Sequence, residues 1–231
     1  MQTNQGMLYG VGVGPGDPEL MTLKAHRLIS GTRYIAFPGK KKEDSYAYRI
    51  AASVLEGSGE KEYLACHVEM TKDREILDRN YDAAAKKITA VLDAGQDVVF
   101  LTIGDPTLYA TYMYIHQRVQ ASGYRTALVS GIPSFCAAAA RMNISLAERS
   151  EQLHVIPSSY QIEEALQLPG NKVLMKAAGK LPEVKQKLEQ LDAEVYMVEN
   201  CGMENERVFH SAAEIDEHAG YLSLIVVKEK E

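Results

Sequence analysis

Apolar stretches of strand length alternate with stretches of helical spacing along the first half of the chain. Residues 7–13 (MLYGVGV) and 97–103 (DVVFLTI) are apolar runs, as buried parallel strands are. Residues 20–30 and 81–94 carry apolar residues at helical spacing, and a glycine follows each of them. This alternation predicts an α/β fold with a mainly parallel sheet. The same pattern predicts strands at 34–37, 62–66 and 126–129 and helices at 46–55, 112–122 and 135–142.

The pattern changes in the second half, where the last strands lie close together without a long helix between every pair. This spacing is typical of a mixed or antiparallel sheet. We therefore predict two α/β domains, residues 1–123 with a mainly parallel sheet and residues 124–231 with a mixed sheet. The predicted strands are 152–156, 172–177, 194–199, 207–210 and 221–228, and the predicted helices are 161–168 and 183–190.

Charge and cysteine content exclude several classes of protein. The 231 residues include 25 Lys and Arg against 31 Asp and Glu, and this net charge of −6 disfavours a nucleic-acid partner. No apolar run approaches the roughly 20 residues that span a bilayer, and residues 1–8 are too short and polar for a signal peptide. The three cysteines form no C-x-x-C pair, so neither disulfides nor a zinc site is predicted. We expect a soluble, cytoplasmic protein without a membrane partner.

A glycine-rich turn follows the first predicted strand, at residues 10–18 (GVGVGPGDP). Its Gly10-x-Gly12 start resembles a dinucleotide-binding turn, but Pro15 stands where that motif needs its third glycine and has no N–H for a phosphate. The glycines favour ligand binding and tight strand–helix packing about equally.

Two further strand-to-helix turns lie at residues 103–109 (IGDPTLY) and 129–135 (VSGIPSF). Asp105 would lie beyond the end of a buried strand, where ligands of open α/β sheets bind, or would cap the next helix. Ser134 offers a hydroxyl at a helix start, or is only an N-cap. Parallel strands bring their carboxyl ends to one edge, so we expect the three turns to lie together.

Other chemistry-bearing residues are less informative. Cys201 is a candidate nucleophile, but no neighbouring residue indicates a lowered thiol pKa, and an unreactive cysteine fits better. His67 and Glu69 are too few for a metal site, and no metal is predicted. The Lys40-Lys41-Lys42 run is typical of a solvated loop unless the ligand is a polyanion.

The turns together resemble the signatures of one enzyme family. GVGPGDPELMTLKA (residues 12–25) is similar to the N-terminal signature of the tetrapyrrole methylases, which use S-adenosylmethionine to methylate corrin and sirohaem precursors. IGDPTLY and VSGIPSFCAAAA resemble the second and third signatures, and MKAAG and VENCGM follow in the order of the C-terminal domain. The resemblance covers essentially the whole chain.

Within the family, residues 105–119 and 45–51 resemble the branch that methylates C20 of precorrin-2 or cobalt-factor II in cobalamin biosynthesis. Enzymes that act at other positions usually have a glycine soon after GDP-x-x-Y, where this chain has Ala110-Thr111-Tyr112. One departure is Pro133, where the family more often has Ser or Thr, so one hydroxyl contact to the cofactor is missing.

The resemblance implies two α/β domains with the cofactor in the cleft between them, usually in a homodimer. It implies S-adenosylhomocysteine as product and a small-molecule tetrapyrrole with many carboxylates as substrate. The implied cofactor contacts are Pro15, Ile103, Gly104, Asp105, Leu108, Pro133, Ser134, Met175, Cys201, Leu222 and Ser223. The substrate candidates are Gly14, Asp17, Arg33, Lys40, Lys41, Lys42 and Arg49. Asp105, Tyr109 and Tyr112 are candidates for orienting the reactants, and no residue is assigned to accepting the proton.

Alternatives stay open at this point. The nearest is another methyltransferase of this family, acting on a different ring carbon or as a diphthine synthase. A nicotinamide-dependent oxidoreductase would need the third glycine and an acidic residue after the second strand, which instead ends in Phe37-Pro38. A non-catalytic nucleotide-binding module would explain the glycine turns alone.

Overall fold

The computed structural model describes residues 5–157 and 162–230. The chain forms two compact units, Met1–Pro133 (unit 1) and Ser134–Glu231 (unit 2). Each unit contains one five-stranded sheet within the described residues. The predicted fold class is confirmed, with a parallel sheet in the first unit and a mixed sheet in the second.

In unit 1, the described strands all run parallel to their neighbours, in the order β3-β2-β4-β1-β5. The central strand β4 is buried along its whole length, as its apolar sequence VVFLT requires. The strands are β1 (Met7–Gly12), β2 (Tyr34–Pro38), β3 (Glu62–Cys66), β4 (Val98–Thr102) and β5 (Arg125–Val129). The helices are α1 (Leu23–Gly31), α2 (Tyr46–Glu56), α3 (Arg74–Asp93) and α4 (Tyr112–Ala121).

Helix α3 is longer than the predicted segment 81–94, because it begins seven residues earlier, at Arg74. The carboxylate of Asp73 accepts hydrogen bonds from the backbone N–H groups of Glu75 and Ile76, which satisfies two donors at the helix start. Leu77, four residues before Tyr81, already packs against the core, so the apolar face of the helix begins before the predicted segment.

Unit 2 has the strand order β6-β7-β10-β8-β9 in its described part. The last strand, β10, lies in the middle and runs antiparallel to both β7 and β8, while β6 and β7 are parallel. The strands are β6 (Leu153–Pro157), β7 (Asn171–Met175), β8 (Ala193–Glu199), β9 (Arg207–Phe209) and β10 (Ser223–Glu229), and the helices are α5 (Ser134–Met142), α6 (Ile162–Leu166) and α7 (Leu181–Leu188). The predicted start of the α6 segment, Gln161, lies outside the described residues.

The unit boundary lies ten residues after the predicted one. We predicted a division between residues 123 and 124, whereas the compact units meet between Pro133 and Ser134. The physical reason is β5, which pairs in parallel with β1 from Met7↔Arg125 to Val11↔Val129 and so completes the first sheet. Within the described residues, no helix is long and apolar enough to cross a bilayer.

The packing of Tyr112 in the core of unit 1 requires a glycine at position 10, in β1. Gly10 lies beside the ring of Tyr112, and a Cβ built on Gly10 would stand 1.9 Å from the Cε1 atom of that ring. Tyr112 is 1% exposed, and the centroid of its ring lies 4.9 Å from the ring centroid of Phe100 in β4. A large aromatic residue therefore fills the space that the missing side chain leaves.

We expect Gly10→Ala to lower the free energy of unfolding by about 3 kcal/mol, because the added methyl group overlaps the buried ring. The matched control is Gly31→Ala, where a Cβ would meet no atom within 4 Å. Chemical denaturation followed by circular dichroism measures both variants. Equal losses in the two variants would contradict this account of Gly10.

Candidate functional site

The turns after β1 and β4 are joined by backbone hydrogen bonds at the carboxyl edge of the unit 1 sheet. The Val13 N–H donates to the Thr102 carbonyl over 2.9 Å, and the Gly104 N–H donates to the Gly14 carbonyl over 2.8 Å. Gly14 and Gly104 both have positive φ, at 81° and 65°. Only glycine adopts such a conformation without strain, so these two positions are fixed by the backbone path.

Three backbone segments pack against one another at this edge without intervening side chains. A Cβ on Gly12 would lie 2.3 Å from the Gly104 carbonyl oxygen, and a Cβ on Gly131 would lie 2.0 Å from the same atom. The turns after β1, β4 and β5 therefore lie together, as expected. This close packing requires glycine at positions 12 and 131, whether or not a ligand is bound.

The carboxylate of Asp105 connects the turn after β4 to the turn after β5. Its Oδ1 accepts hydrogen bonds from the Thr107 N–H (2.8 Å) and hydroxyl (2.5 Å), and its Oδ2 accepts from the Gly131 N–H (3.0 Å). Asp105 does not cap α4, which begins seven residues later, at Tyr112. It anchors the residues 130–133, one of the segments predicted to contact the cofactor.

Hydrogen bonding keeps Asp105 ionised. Partial burial acts to raise its pKa, but hydrogen bonds from Thr107, the Gly131 N–H and the Ser130 hydroxyl outweigh burial and hold the pKa below its ordinary value. These donors occupy both carboxylate oxygens.

The two tyrosine candidates lie in different environments. Tyr109 is 46% exposed, and its φ of 51° turns the chain sharply after β4. Tyr112 instead belongs to the core, where its hydroxyl lies 3.0 Å from Nδ1 of His116 and burial raises the pKa of its phenol. The predicted orienting role therefore does not suit Tyr112, because its hydroxyl is buried and already paired.

The predicted substrate cations divide between two opposite edges of the sheet. Lys40, Lys41 and Lys42 follow β2, and Arg49 lies in the first turn of α2, so all of them lie at the carboxyl end of β2. Arg33 precedes β2 and is separated from them by the strand, roughly 15 Å for five residues. It pairs with Glu62 at 3.2 Å, and that hydrogen bond raises its pKa. Arg33 therefore does not share a surface with the lysines.

The remaining unit 1 candidates lie in the same loops. Pro15 and Gly14 are buried, and Ile103 and Leu108 are half-buried. The carboxylate of Asp17 accepts a hydrogen bond from the Glu19 N–H over 2.8 Å and so starts a short 3-10 turn before α1. Asp17 thus has a local structural role.

In unit 2, the predicted cofactor residues gather at one sheet edge. Because β10 is antiparallel to β7 and β8, its start lies beside their ends, with Leu224 opposite Met175 and Ser223 opposite Glu199. The Asn200 N–H donates to the Leu222 carbonyl over 2.9 Å, which holds Cys201 close to the same edge. Ser134 lies at the start of α5. The chain bends sharply after both strands, since Lys176 and Asn200 have φ of 60° and 52°.

Sequence reasoning missed Glu199, the residue that anchors this edge. Its side chain is 8% exposed, accepts hydrogen bonds from the Gly220 N–H (2.5 Å) and pairs with Arg207 (2.6 Å). It thereby fixes the loop that leads to Leu222 and Ser223. A glutamate at the end of an apolar strand was the only signal in the sequence.

Comparison with known proteins decides the family. The sequence model of the family described as Tetrapyrrole (Corrin/Porphyrin) Methylases matches residues 7–216. The chain belongs to the tetrapyrrole methylases.

Three relatives illustrate the extent of the match. A Methanocaldococcus jannaschii protein named probable cobalt-precorrin-2 C(20)-methyltransferase is 33% identical over 228 residues, which cover 96% of this chain and 95% of the relative. A Sinorhizobium sp. precorrin-2 C(20)-methyltransferase is 30% identical over 235 residues, with coverage of 96% and 95%. The structure of Thermus thermophilus uroporphyrin-III C-methyltransferase, complexed with S-adenosylhomocysteine, has a TM-score of 0.70 at 21% identity and coverage of 97% and 98%.

In the described part of this tetrapyrrole methylase, metal-ligating residues are not clustered. Within residues 5–157 and 162–230, no group of three or more His, Cys, Asp or Glu residues could hold a metal ion. Cys66 is buried, Cys201 half-buried and Cys136 exposed, and burial raises the pKa of both Cys66 and Cys136.

We expect Asp105→Ala to lower the free energy of unfolding by about 2 kcal/mol at pH 7, because donors at Thr107 and Gly131 lose a charged acceptor. The native pKa is lower than that of the unfolded chain, so this stabilisation is complete above the unfolded pKa and is lost as pH falls through the native one. Denaturation curves from pH 7 to roughly pH 3 measure it. The difference between wild type and variant should shrink below roughly pH 4; a constant difference would contradict the ionised anchor.

Proposed function

We propose that this protein transfers a methyl group from S-adenosylmethionine to C20 of precorrin-2 or of its cobalt-containing counterpart, cobalt-factor II. The observation that carries the proposal is the near full-length similarity to relatives named for this position of methylation. The segments at residues 105–119 and 45–51 support the same branch of the family.

Each of the two sheet edges, taken by itself, offers groups that suit a sulfonium nucleoside. Such a cofactor needs apolar surface for its adenine ring and backbone polar groups for its ribose and amino acid portions. Unit 1 offers half-buried Ile103 and Leu108 beside a glycine-rich backbone, and unit 2 offers half-buried Met175 and Cys201 beside Leu222. The proposed contacts also include Pro15, Gly104, Asp105, Pro133, Ser134 and Ser223.

In this mechanism the protein binds the cofactor and the tetrapyrrole and aligns them for the transfer. S-adenosylmethionine, when bound, would supply the methyl group and leave as S-adenosylhomocysteine, and the acceptor carbon would then lose its proton to solvent. The residues around Asp105 then need to hold the acceptor carbon in line with the bond that breaks, at about 3–3.5 Å from the methyl carbon.

Asp105 acts in this step by anchoring the loop at Gly131 rather than by contacting the sulfonium. Both of its carboxylate oxygens already accept hydrogen bonds from Thr107 and Gly131. A free carboxylate beside the sulfonium would stabilise the charged ground state more than the transition state, and so would slow transfer. Because Asp105 anchors the loop instead, it does not stabilise the sulfonium ground state in this way.

We further propose a homodimer in the cytoplasm. The family resemblance supports the dimer, and the cysteine content supports a reducing compartment. Light scattering on the purified protein should give twice the mass of one chain. A monomeric mass at micromolar concentration would reject the dimer.

Calorimetric titration tests the cofactor. We expect S-adenosylhomocysteine to bind with micromolar affinity and NAD to give no heat of binding. Asp105→Ala should weaken the affinity for S-adenosylhomocysteine, because the loop at Gly131 loses its anchor. Absence of binding to a folded wild-type sample would reject the methyltransferase proposal, and binding of NAD alone would favour an oxidoreductase.

A turnover assay with precorrin-2 and with cobalt-factor II then tests the substrate. Mass spectrometry should show the gain of one methyl group, and NMR with a ¹³C-labelled methyl donor should place that group on C20. A label on another ring carbon would reject the C20 assignment while keeping the family.

A further inference from the structure

The loop after β2 and the first turn of α2 carry four cations that have no carboxylate partner among the described residues. Within residues 5–157 and 162–230, no carboxylate oxygen lies within 4.0 Å of the side-chain nitrogens of Lys40, Lys41, Lys42 or Arg49. Glu43 and Asp44 follow directly in the chain, yet their carboxylates also stay beyond this distance. Elsewhere in the described residues some cations are paired with carboxylates, among them Arg33, Arg118, Arg141, Lys172 and Arg207, whereas others, such as Lys24 and Lys86, are not.

Aromatic rings hold two of these four cations. The Nζ atom of Lys42 lies 4.9 Å from the ring centroid of Tyr63 and 5.5 Å from that of Tyr48. The guanidinium carbon of Arg49 lies 4.4 Å from the ring centroid of Tyr46. These distances are those of cation–π contacts.

The tyrosines under Lys42 are themselves fixed. The rings of Tyr48 and Tyr63 meet edge to face at 5.5 Å, and Phe37 of β2 packs against Tyr48 at 5.9 Å. Burial and a hydrogen bond to Tyr48 raise the pKa of the Tyr63 phenol, which therefore stays neutral. Lys42 thus lies against two tyrosine rings that pack against each other and, through Phe37, against β2.

A ring holds a cation differently from a carboxylate. It orients the flexible side chain through the charge distribution of its face but leaves the positive charge uncompensated. An oriented cation also loses less conformational entropy when an anion binds. The side chains of Lys42 and Arg49 are therefore already oriented to bind anions. The exposed Lys40 and Lys41 contribute mainly to the local positive electrostatic potential.

We propose that Lys42, seated on Tyr48 and Tyr63, and Arg49, seated on Tyr46, form a receptor for carboxylates on the rim of the tetrapyrrole, and that this receptor selects substrates by their carboxylates. The inference rests on the proposed function and deepens it. Lys42 and Arg49 contact the substrate, while the tyrosines are positioning residues that act through them.

The exposed side chains around the same edge suit such a ligand. Leu23 begins α1 and is 92% exposed, and Met70 lies in the loop after β3 and is 88% exposed. Each follows a parallel strand, so both lie on the carboxyl side of the sheet, as Tyr109 does. Apolar groups on the same side as a basic loop match a flat macrocycle with an anionic rim.

Steady-state kinetics on Lys42→Gln, Tyr63→Leu and Tyr63→Phe tests the receptor. We expect Lys42→Gln to raise the KM for the tetrapyrrole about tenfold, because a charge-assisted contact is lost. Tyr63→Leu should raise it about threefold, because the ring is lost, and Tyr63→Phe should leave it near the wild-type value, because the ring remains. The kcat and the affinity for S-adenosylhomocysteine should not change.

The matched control is Lys86→Gln, which removes an exposed lysine from the middle of α3. If Lys42→Gln and Lys86→Gln had equal KM values for the tetrapyrrole, the proposed receptor would be rejected. If Tyr63→Phe raised the KM for the tetrapyrrole as much as Tyr63→Leu does, the proposed cation–π contact would be rejected, because the hydroxyl and not the ring would then be required. Thermal melts confirm that each variant is folded.

A binding experiment separates this inference from the proposed function. Fluorescence titration compares uroporphyrin, an octacarboxylate, with coproporphyrin, a tetracarboxylate. We expect wild type and Tyr63→Phe to prefer uroporphyrin and Lys42→Gln to lose part of that preference. Unchanged preference in Lys42→Gln would reject the receptor even if C20 methylation is observed, and failure of S-adenosylhomocysteine to bind would reject the methyltransferase alone.

Discussion

The carbonyl oxygen of Gly104 is the point around which the carboxyl edge of unit 1 is built. Gly12 and Gly131 approach it so closely that neither has room for a methyl group. Only because no side chain separates these turns can the carboxylate of Asp105 reach the Gly131 N–H on the neighbouring turn. Backbone packing thus comes first, and the placement of Asp105 and the loop after β5 follows from it.

Hydrophobic patterning predicted most strands and helices because each of them buries one face or, in β4, both faces. The placement of β5 was not predictable in this way. The strand that pairs with β5, β1, lies more than a hundred residues earlier in the chain. Gly123, which follows the end of a helix just before β5, resembles a glycine at a domain boundary. Pairing between distant segments leaves no local trace in the sequence.

The candidate site was predictable where it depends on chain direction. Residues after parallel strands collect at one edge, and the turns containing Gly12, Asp105 and Gly131 do so. The same rule would have separated Arg33, which precedes its strand, from Lys42, which follows it. Helical spacing with Ile115 and Val119 favoured a core position for Tyr112, but the space beside Gly10 that its ring fills could not be predicted from the sequence.

Arg33 and Lys42, which lie at opposite edges of the unit 1 sheet, differ in their partners. At the amino edge Arg33 is neutralised by Glu62, whereas at the carboxyl edge Lys42 and Arg49 rest on tyrosine rings. A chain with a net charge of −6 can therefore still present a local positive field to a polyanion. Sequence composition reports only the sum, and the local field depends on which cations have partners.

The central position of β10 in unit 2 has a consequence for synthesis on the ribosome. Strands β7 and β8 are both complete before β10 is translated, yet each of them pairs with β10. Unit 1 contains only earlier segments and can fold while translation continues. Unit 2 must wait with its two half-sheets unjoined, so the unpaired edges of β7 and β8 are exposed to chaperones, or to other nascent chains, until the last strand emerges.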